Sequence, residues 1–285
     1  MAHGRVDAGA MPGVAVRTLV AQDRAAALEL CRRDPVSAVL AGGHVEALGA
    51  APLQRQLLGL FARGSLRSLC WAGANVVPVC ADAAVIPALA RELIRRGRRC
   101  SSIVGPADAV LDLWDRLRPS WSRPRDVRRA QPSLAISAAP RVPADPGVRR
   151  SGPGDFDLIF PAAVAMFTEE VGYSPTVAGA AYEMRVRELV EGGRSFVRIE
   201  DGRVVFKAEL GAIALGVAQV QGVWVPPELR GRGIATAGVA AVVQAALRDV
   251  APTVSLYVND YNIPALAVYR RVGFRQVGTY ATVLF

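Results

Sequence analysis

The stretch Val223-Trp224-Val225-Pro226-Pro227-Glu228-Leu229-Arg230-Gly231-Arg232-Gly233-Ile234-Ala235-Thr236 decides how the chain is read. An apolar segment runs into a Pro-Pro turn, then an Arg-Gly-Arg-Gly loop, then a helix-like run from Thr236 to Leu247. The first turn of a helix leaves backbone N–H groups unpaired and carries a partial positive charge, so a glycine-rich entry suits a bound phosphate. Gly231 and Gly233 let the backbone come close to an anion and adopt conformations that other residues avoid. The loop is not a P-loop, because no Gly-Lys-Ser/Thr follows. It also departs from the dinucleotide fingerprint, with Thr at position 236 and a place late in the chain. The glycines alone are compatible with an ordinary strand–helix connection as well.

Working outward, the pattern predicts a helix from Asp155 to about Glu170 with Asp155 as N-cap, broken at Gly172. A second helix is expected from Thr176 to Glu191, closed by Gly192-Gly193. Strands Ser195–Glu200 and Arg203–Leu210 flank Asp201-Gly202, a strong hairpin signal. Ile213–Val225 reads as a third strand, with room for a bulge at Gly216 or Gly222. After the loop and its helix come a strand at Thr253–Val258, a helix at Pro264–Arg271 ending at Gly273, and one or two strands over Phe274–Phe285. This order belongs to the α/β class, as an α+β mixed sheet with a mostly antiparallel start.

Ser137–Gly154 is dense in Pro, Gly and small residues and reads as a junction holding one short strand at Val148-Arg149-Arg150. The division expected is residues 1–137, a linker at 138–147, and 148–285. The first half repeats the plan of the second. Val16-Arg17-Thr18 followed by Asp23 mirrors Val148-Arg149-Arg150 followed by Asp155, and helix Ile86–Arg96 with strand Cys100–Val104 mirrors the helix and strand after the loop. Where the second half has its glycine loop, the first has Cys80 to Pro87 and no cradle.

At 285 residues, 52% hydrophobic and 21% charged, the chain can bury a substantial core. No apolar run reaches the ~18–20 uncharged residues of a membrane span, and Met1 to Pro12 lacks a signal pattern, so a cytoplasmic protein is expected. Cys31, Cys70, Cys80 and Cys100 lack metal-ligand spacing and read as buried, reduced thiols; no metal is expected. The net charge of +9 invites a nucleic-acid partner. However, the cations are nearly all arginine, Lys207 being the only lysine, and they are scattered along the chain. Aromatics at 6% give few stacking platforms. A solvated face or a polyanionic ligand accounts for the charge at least as well.

The order strand, Arg230-x-x-Gly233-x-Ala235, helix, strand, Asn259-Asp260-Tyr261-Asn262, helix, Tyr269-x-x-x-Gly273-Phe274 resembles the GCN5-related N-acetyltransferase (GNAT) family over residues 148–285. The first half resembles a degenerate copy in a tandem arrangement. The resemblance implies acetyl-CoA as acyl donor. Backbone groups of Val223, Trp224 and Val225 would pair with its pantetheine arm. Amides from Arg230 through Gly231, Arg232, Gly233, Ile234, Ala235 and Thr236 would take its pyrophosphate, with charge from Arg230 and Arg232. Asn259 and Asn262 lie where the family contacts the cofactor, although Asn262 can equally cap the helix at Pro264.

Tyr269 is the expected general acid for the departing CoA thiolate; it can also simply pack on its helix. Trp114 stands at that place in the first half. The family often has a Glu on the strand before the loop, where this chain has Gln219 and Gln221. Glu209, acting through water, is the alternative base, while Glu169, Glu170 and Tyr173 are candidates for binding the acceptor. The Val223 amide is the expected oxyanion donor. The implied activity is direct acetyl transfer to a primary amine on a small molecule or peptide, by a monomer or homodimer. The alternative is a non-catalytic acyl-CoA-binding module.

Overall fold

A computed structural model describes residues 13–49 and 56–285; the opening residues 1–12, including His3, lie outside it. The first element is strand β1 (Val14–Thr18). Its Arg17 guanidinium forks onto Asp23 with two hydrogen bonds of 2.7 Å, and Asp23 also accepts the Val20 N–H at 2.9 Å. The second half opens on strand β7 (Arg149–Arg150) with the same clasp: Arg149 donates to Asp155 at 2.7 and 2.8 Å, and Gly152 N–H donates at 2.9 Å. The Arg149 hydrogen bond, with the Gly152 N–H, holds the Asp155 carboxyl down to about 2. Asp155 therefore does not cap the following helix through its side chain, as the pattern predicts, but ties the turn to the strand before it.

The elements after each clasp run in the same order. In the first half these are α1 (Arg24–Cys31), α2 (Pro35–Glu46), β2 (Leu57–Ala62), β3 (Ser65–Ala72), β4 (Asn75–Val79), α3 (Ile86–Arg96), β5 (Ser102–Pro106), α4 (Ala107–Leu117) and β6 (Asp126–Ile136). In the second they are α5 (Phe156–Val171), α6 (Ala181–Glu191), β8 (Ser195–Glu200), β9 (Arg203–Ala214), β10 (Val217–Trp224), α7 (Ile234–Asp249), β11 (Thr253–Tyr257), α8 (Ile263–Val272) and β12 (Arg275–Leu284). Their hairpins match too, with Arg63-Gly64 and Asp201-Gly202 both in the left-handed region.

The described chain forms two compact units, one reaching to Ser133 with Val277–Phe285 added, the other Leu134–Gln276. This departs from the expected 1–137, 138–147 and 148–285. The C-terminal strand belongs to the first unit, where β12 pairs antiparallel with β5 from Tyr280↔Pro106 to Leu284↔Ser102. The reason is burial. Ala281 and Val283 are fully buried with Ile103, Val110 and Leu113, and Trp114 and Trp121 place ring edges on Phe285 at 5.6 and 5.7 Å. Residues 138–147 are a strap rather than a free linker: Arg141 N–H donates to Val272, Asp145 N–H to Ala237, and Arg198 forks between Asp145 and Glu200.

In the second unit the strand order β11-β10-β9-β8-β7 has apolar helices on both faces. Phe206, Ala208 and Leu210 of β9 pack with Val239 and Val243 of α7, while Val197 and Val204 pack with Phe156, Ile159 and Val190 from α5 and α6. Two local expectations change. The helix expected from Thr176 is interrupted at Gly179 (φ 97°), which leaves a 3-10 turn at Pro175–Ala178 ahead of α6. The strand expected at Ile213–Val225 is cut by a Leu215-Gly216 turn (φ 55° and 73°), so Gly216 makes a hairpin and not a bulge. All four cysteines are unpaired; Cys80 is exposed, against the expectation of burial.

Gly238, on the α7 face against the sheet, has the Phe206 ring 2.6 Å from where a Cβ would stand. Gly238→Ala should cost about 1–3 kcal/mol, the usual range for overpacking, read as a lower urea midpoint.

Candidate functional site

The site starts from an irregularity in β10. Its pairing with β9 shifts register between Gln219 and Val220, runs to Gln221↔Glu209, then breaks again and resumes at Trp224↔Lys207. Gly222 sits inside the break with φ 61°, a conformation that favours glycine. Beneath it lies Lys207, with no solvent exposure. Its ammonium donates to Glu209 at 2.7 Å and to the Gly222 carbonyl at 3.2 Å. Glu209 is 5% exposed. Across the sheet it is opposed by Ser195 of β8, whose buried hydroxyl has no hydrogen-bond partner, and by Gln221 of β10. Tyr182 of α6 donates to the Ala163 carbonyl at 2.9 Å. Burial pushes its phenol up, and the charges of Glu209 and Glu170 push the same way.

Beyond Trp224 the chain turns through a 3-10 turn at Pro227–Leu229 and enters α7 by Gly231 (φ 78°) and Gly233 (φ 82°). No side chain caps the start of α7. Nothing stands within 4 Å of a Cβ at either glycine, so the entry to α7 is open beside both of them. The first unit differs at this place. There Asp82 accepts from the N–H groups of Ala84 and Val85 at 3.0 and 3.3 Å, so a carboxylate already serves the chain entering α3. Val223, Trp224 and Val225 lead into the loop partly or fully buried, and Ile234, Ala235 and Thr236 form the half-buried first turn.

Arg230 does not stand free at the loop. Its guanidinium forks onto Glu169 of α5 at 2.6 and 2.7 Å and donates to the Val225 carbonyl at 3.0 Å. The Trp224 indole also donates to Glu169, at 3.3 Å. Both hold that carboxyl below its usual range, the Arg230 hydrogen bond most strongly. Glu169 thus braces the loop against α5. Arg232 is exposed, with one bond to the Glu228 carbonyl at 3.2 Å.

Tyr269 on α8 is 7% exposed, with its ring edge-on to Phe274 at 5.9 Å. Burial, with the Glu170 charge added, pushes its phenol well above the usual tyrosine range, so it is a neutral O–H donor across physiological pH. Tyr173 packs edge-on against Phe167 at 5.6 Å. Asn259 is buried, while Asn262 caps α8 through the Ala265 N–H at 3.2 Å.

Residues 163–274, which contain the bulge, the glycine loop, the uncapped turn and Tyr269, match the acetyltransferase (GNAT) family. This region belongs to the GNAT family. Residues 55–159 match a domain of unknown function, DUF4081. The whole chain is similar in fold to a GCN5-related N-acetyltransferase from Sphaerobacter thermophilus, with 19% identity, TM-score 0.58, and 94% of each chain covered. It is similar also to a GNAT-family acetyltransferase from Colwellia psychrerythraea, with 14% identity, TM-score 0.54, and 95% and 99% covered. A Drosophila protein aligns at TM-score 0.64 and 13% identity, with 96% and 99% covered. At these identities the likeness is one of fold, and it spans both halves of the chain. No curated protein gives a significant match. Among the described residues no helix is long and apolar enough to cross a membrane, and no group of three or more His, Cys, Asp or Glu side chains could hold a metal ion.

The sequence reading of the GNAT region missed Lys207 and Tyr182. Lys207 had a signal, a lone lysine in an arginine-rich chain set inside an apolar strand. Tyr182 had none. The Gly222 position is testable, since a Cβ there would stand 3.1 Å from Glu209 and 3.2 Å from the Lys207 ammonium. Gly222→Ala should destabilise the protein by about 1–3 kcal/mol through its positive φ and this crowding, measured by thermal unfolding.

Proposed function

We propose that the GNAT region transfers an acetyl group from acetyl-CoA to a primary amine of a small molecule or peptide. The observation that carries this reading is the start of α7, which no side chain caps and which is entered through two left-handed glycines with open space beside them, the kind of helix start that takes a pyrophosphate. The β11 edge of β10 supplies a second requirement. Because β10 pairs with β11 only as far as Gln219↔Ser255, backbone groups of Val223, Trp224 and Val225 on that edge can pair with an extended pantetheine arm. Arg232 is the cation left to meet the phosphates, with Arg230 bracing the loop from behind. Asn259 flanks the cofactor on the β11 side.

In the reaction, the amine nitrogen attacks the thioester carbonyl, the C–S bond breaks, and CoA leaves as thiolate. Tyr269, neutral and buried, gives that thiolate its proton. Glu209 receives the proton of the attacking amine through water, and the Val223 N–H stabilises the oxyanion. Glu170 and Tyr173 bound the acceptor side. A second reading, an acyl-CoA-binding module without turnover, draws support from Gln219 and Gln221 standing where the family often has a Glu, and from the ion pair that already engages Glu209.

Release of CoA thiol on mixing the protein, acetyl-CoA and an amine panel separates these readings: cofactor binding without amine-dependent release leaves only the module. Gly233→Val places a branched side chain in the open groove at φ 82°, and thermal stabilisation by acetyl-CoA should disappear; undiminished stabilisation would move the phosphate site elsewhere. Tyr269→Phe should keep acetyl-CoA affinity and lower kcat by roughly 10²–10⁴-fold, the range for one general acid. Wild-type kcat in that variant would remove Tyr269 from the chemistry.

A further inference from the structure

Among 34 lysine and arginine side chains the protein has one lysine, Lys207, and places it fully buried in the wall of the proposed site. An ammonium taken out of water is costly unless it is paired and hydrogen-bonded. Lys207 is both, with Glu209 at 2.7 Å and the Gly222 carbonyl at 3.2 Å. A compact ammonium with three donors reaches a carboxylate and a carbonyl on adjacent strands from one point, whereas a planar guanidinium presents its donors in a fixed fork.

The second of these bonds has a consequence for the backbone. A trans peptide unit is planar, so the Gly222 carbonyl and the Val223 N–H lie in one plane and point in opposite directions. Holding the carbonyl down onto Lys207 therefore aims the Val223 N–H away from β9, toward the opened side of the bulge. The first bond supplies a counter-charge to Glu209 where the other neighbours supply none. Ser195 on β8 and Gln221 on β10 are neutral, Tyr182 on α6 is a neutral phenol, and Glu170 on α5 adds a further negative charge close to Tyr182. Nearby cations are committed elsewhere: Arg230 to Glu169, and Arg185 of α6 to the Gly211 carbonyl and Glu188. The α7 side of β9 is apolar.

We propose that Lys207 is a positioning residue for acetyl transfer: its ammonium aims the Val223 amide by holding the Gly222 carbonyl, and it is, among the described residues, the cationic partner that keeps Glu209 in place as the proton acceptor. This rests on the acetyltransferase reading above. Two variants test it. Lys207→Met leaves the Glu209 carboxylate buried without a cation, and Lys207→Met with Glu209→Gln removes that carboxylate as well, so that folding is preserved. A buried carboxylate without its counter-ion resists ionisation, so the acid limb of kcat/KM should move to higher pH in Lys207→Met by about one unit or more. The double variant should fold and bind acetyl-CoA, remain at least about 10²-fold below wild type in kcat, and show faster hydrogen exchange at the Val223 amide. An unmoved acid limb in an active Lys207→Met protein, or wild-type kcat in the double variant, overturns the proposal. Should wild type release no CoA with any amine, the acetyltransferase reading fails instead. Hydrogen exchange then decides for Lys207 alone: faster exchange at Val223 in the double variant supports the pinning, and unchanged exchange overturns it.

Discussion

The site of the second unit depends on the second of two interruptions in the β9–β10 pairing, the break at Gly222. Upstream of it β10 is an ordinary strand, buried on both faces by the helices around it. Downstream, β10 rejoins β9 at Trp224↔Lys207, beyond the end of its pairing with β11, and is delivered through the Pro-Pro turn into the glycine loop and α7. A residue with φ 61° has to stand at the break, and a polar group has to satisfy the carbonyl turned inward there. Gly222 and Lys207 meet those two demands. The remaining features of the site follow from where the released strand goes: Trp224 and Arg230 reach Glu169 on α5, which fixes the outer wall, and α7 begins without a cap.

The two halves show how little separates a phosphate-ready helix start from a closed one. They share the Arg-Asp clasp, the order of elements and the left-handed hairpin residues. At the entry to α3 and α7, however, the first half has Asp82 accepting two N–H groups, and the second has glycines with open space beside them. A carboxylate on those donors does internally what a bound anion would do. The difference at Tyr269 runs the same way. Its counterpart Trp114 is a packing residue of the first core, with a ring edge on Phe285.

Local signals carried most of the fold. The Asp201-Gly202 hairpin, the glycine loop and the helix-ending Gly273 each depend on residues a few positions apart, and each forms where the pattern puts it, whereas Asp155, expected as a cap, clasps Arg149 instead. Contacts between distant residues were not legible. The composition of 138–147 describes a linker, yet its ends hydrogen-bond to Ala237 and Val272. The alternation in 277–284 announces a strand but not its neighbour, which is β5. Arg230 was read as a phosphate ligand because it lies in the loop; its partner Glu169 is 61 residues earlier, and nothing local joins them. Lys207 was visible only as an oddity of composition, since the carbonyl it holds belongs to the next strand.

The account places the acyl donor along β10 and α7 of the second unit. The most direct test is a crystal structure of the protein with acetyl-CoA. It should show the pyrophosphate on the backbone amides between Gly231 and Thr236, and the thioester carbonyl at the Val223 N–H with Tyr269 on the sulfur side. Acetyl-CoA bound away from that loop would contradict it.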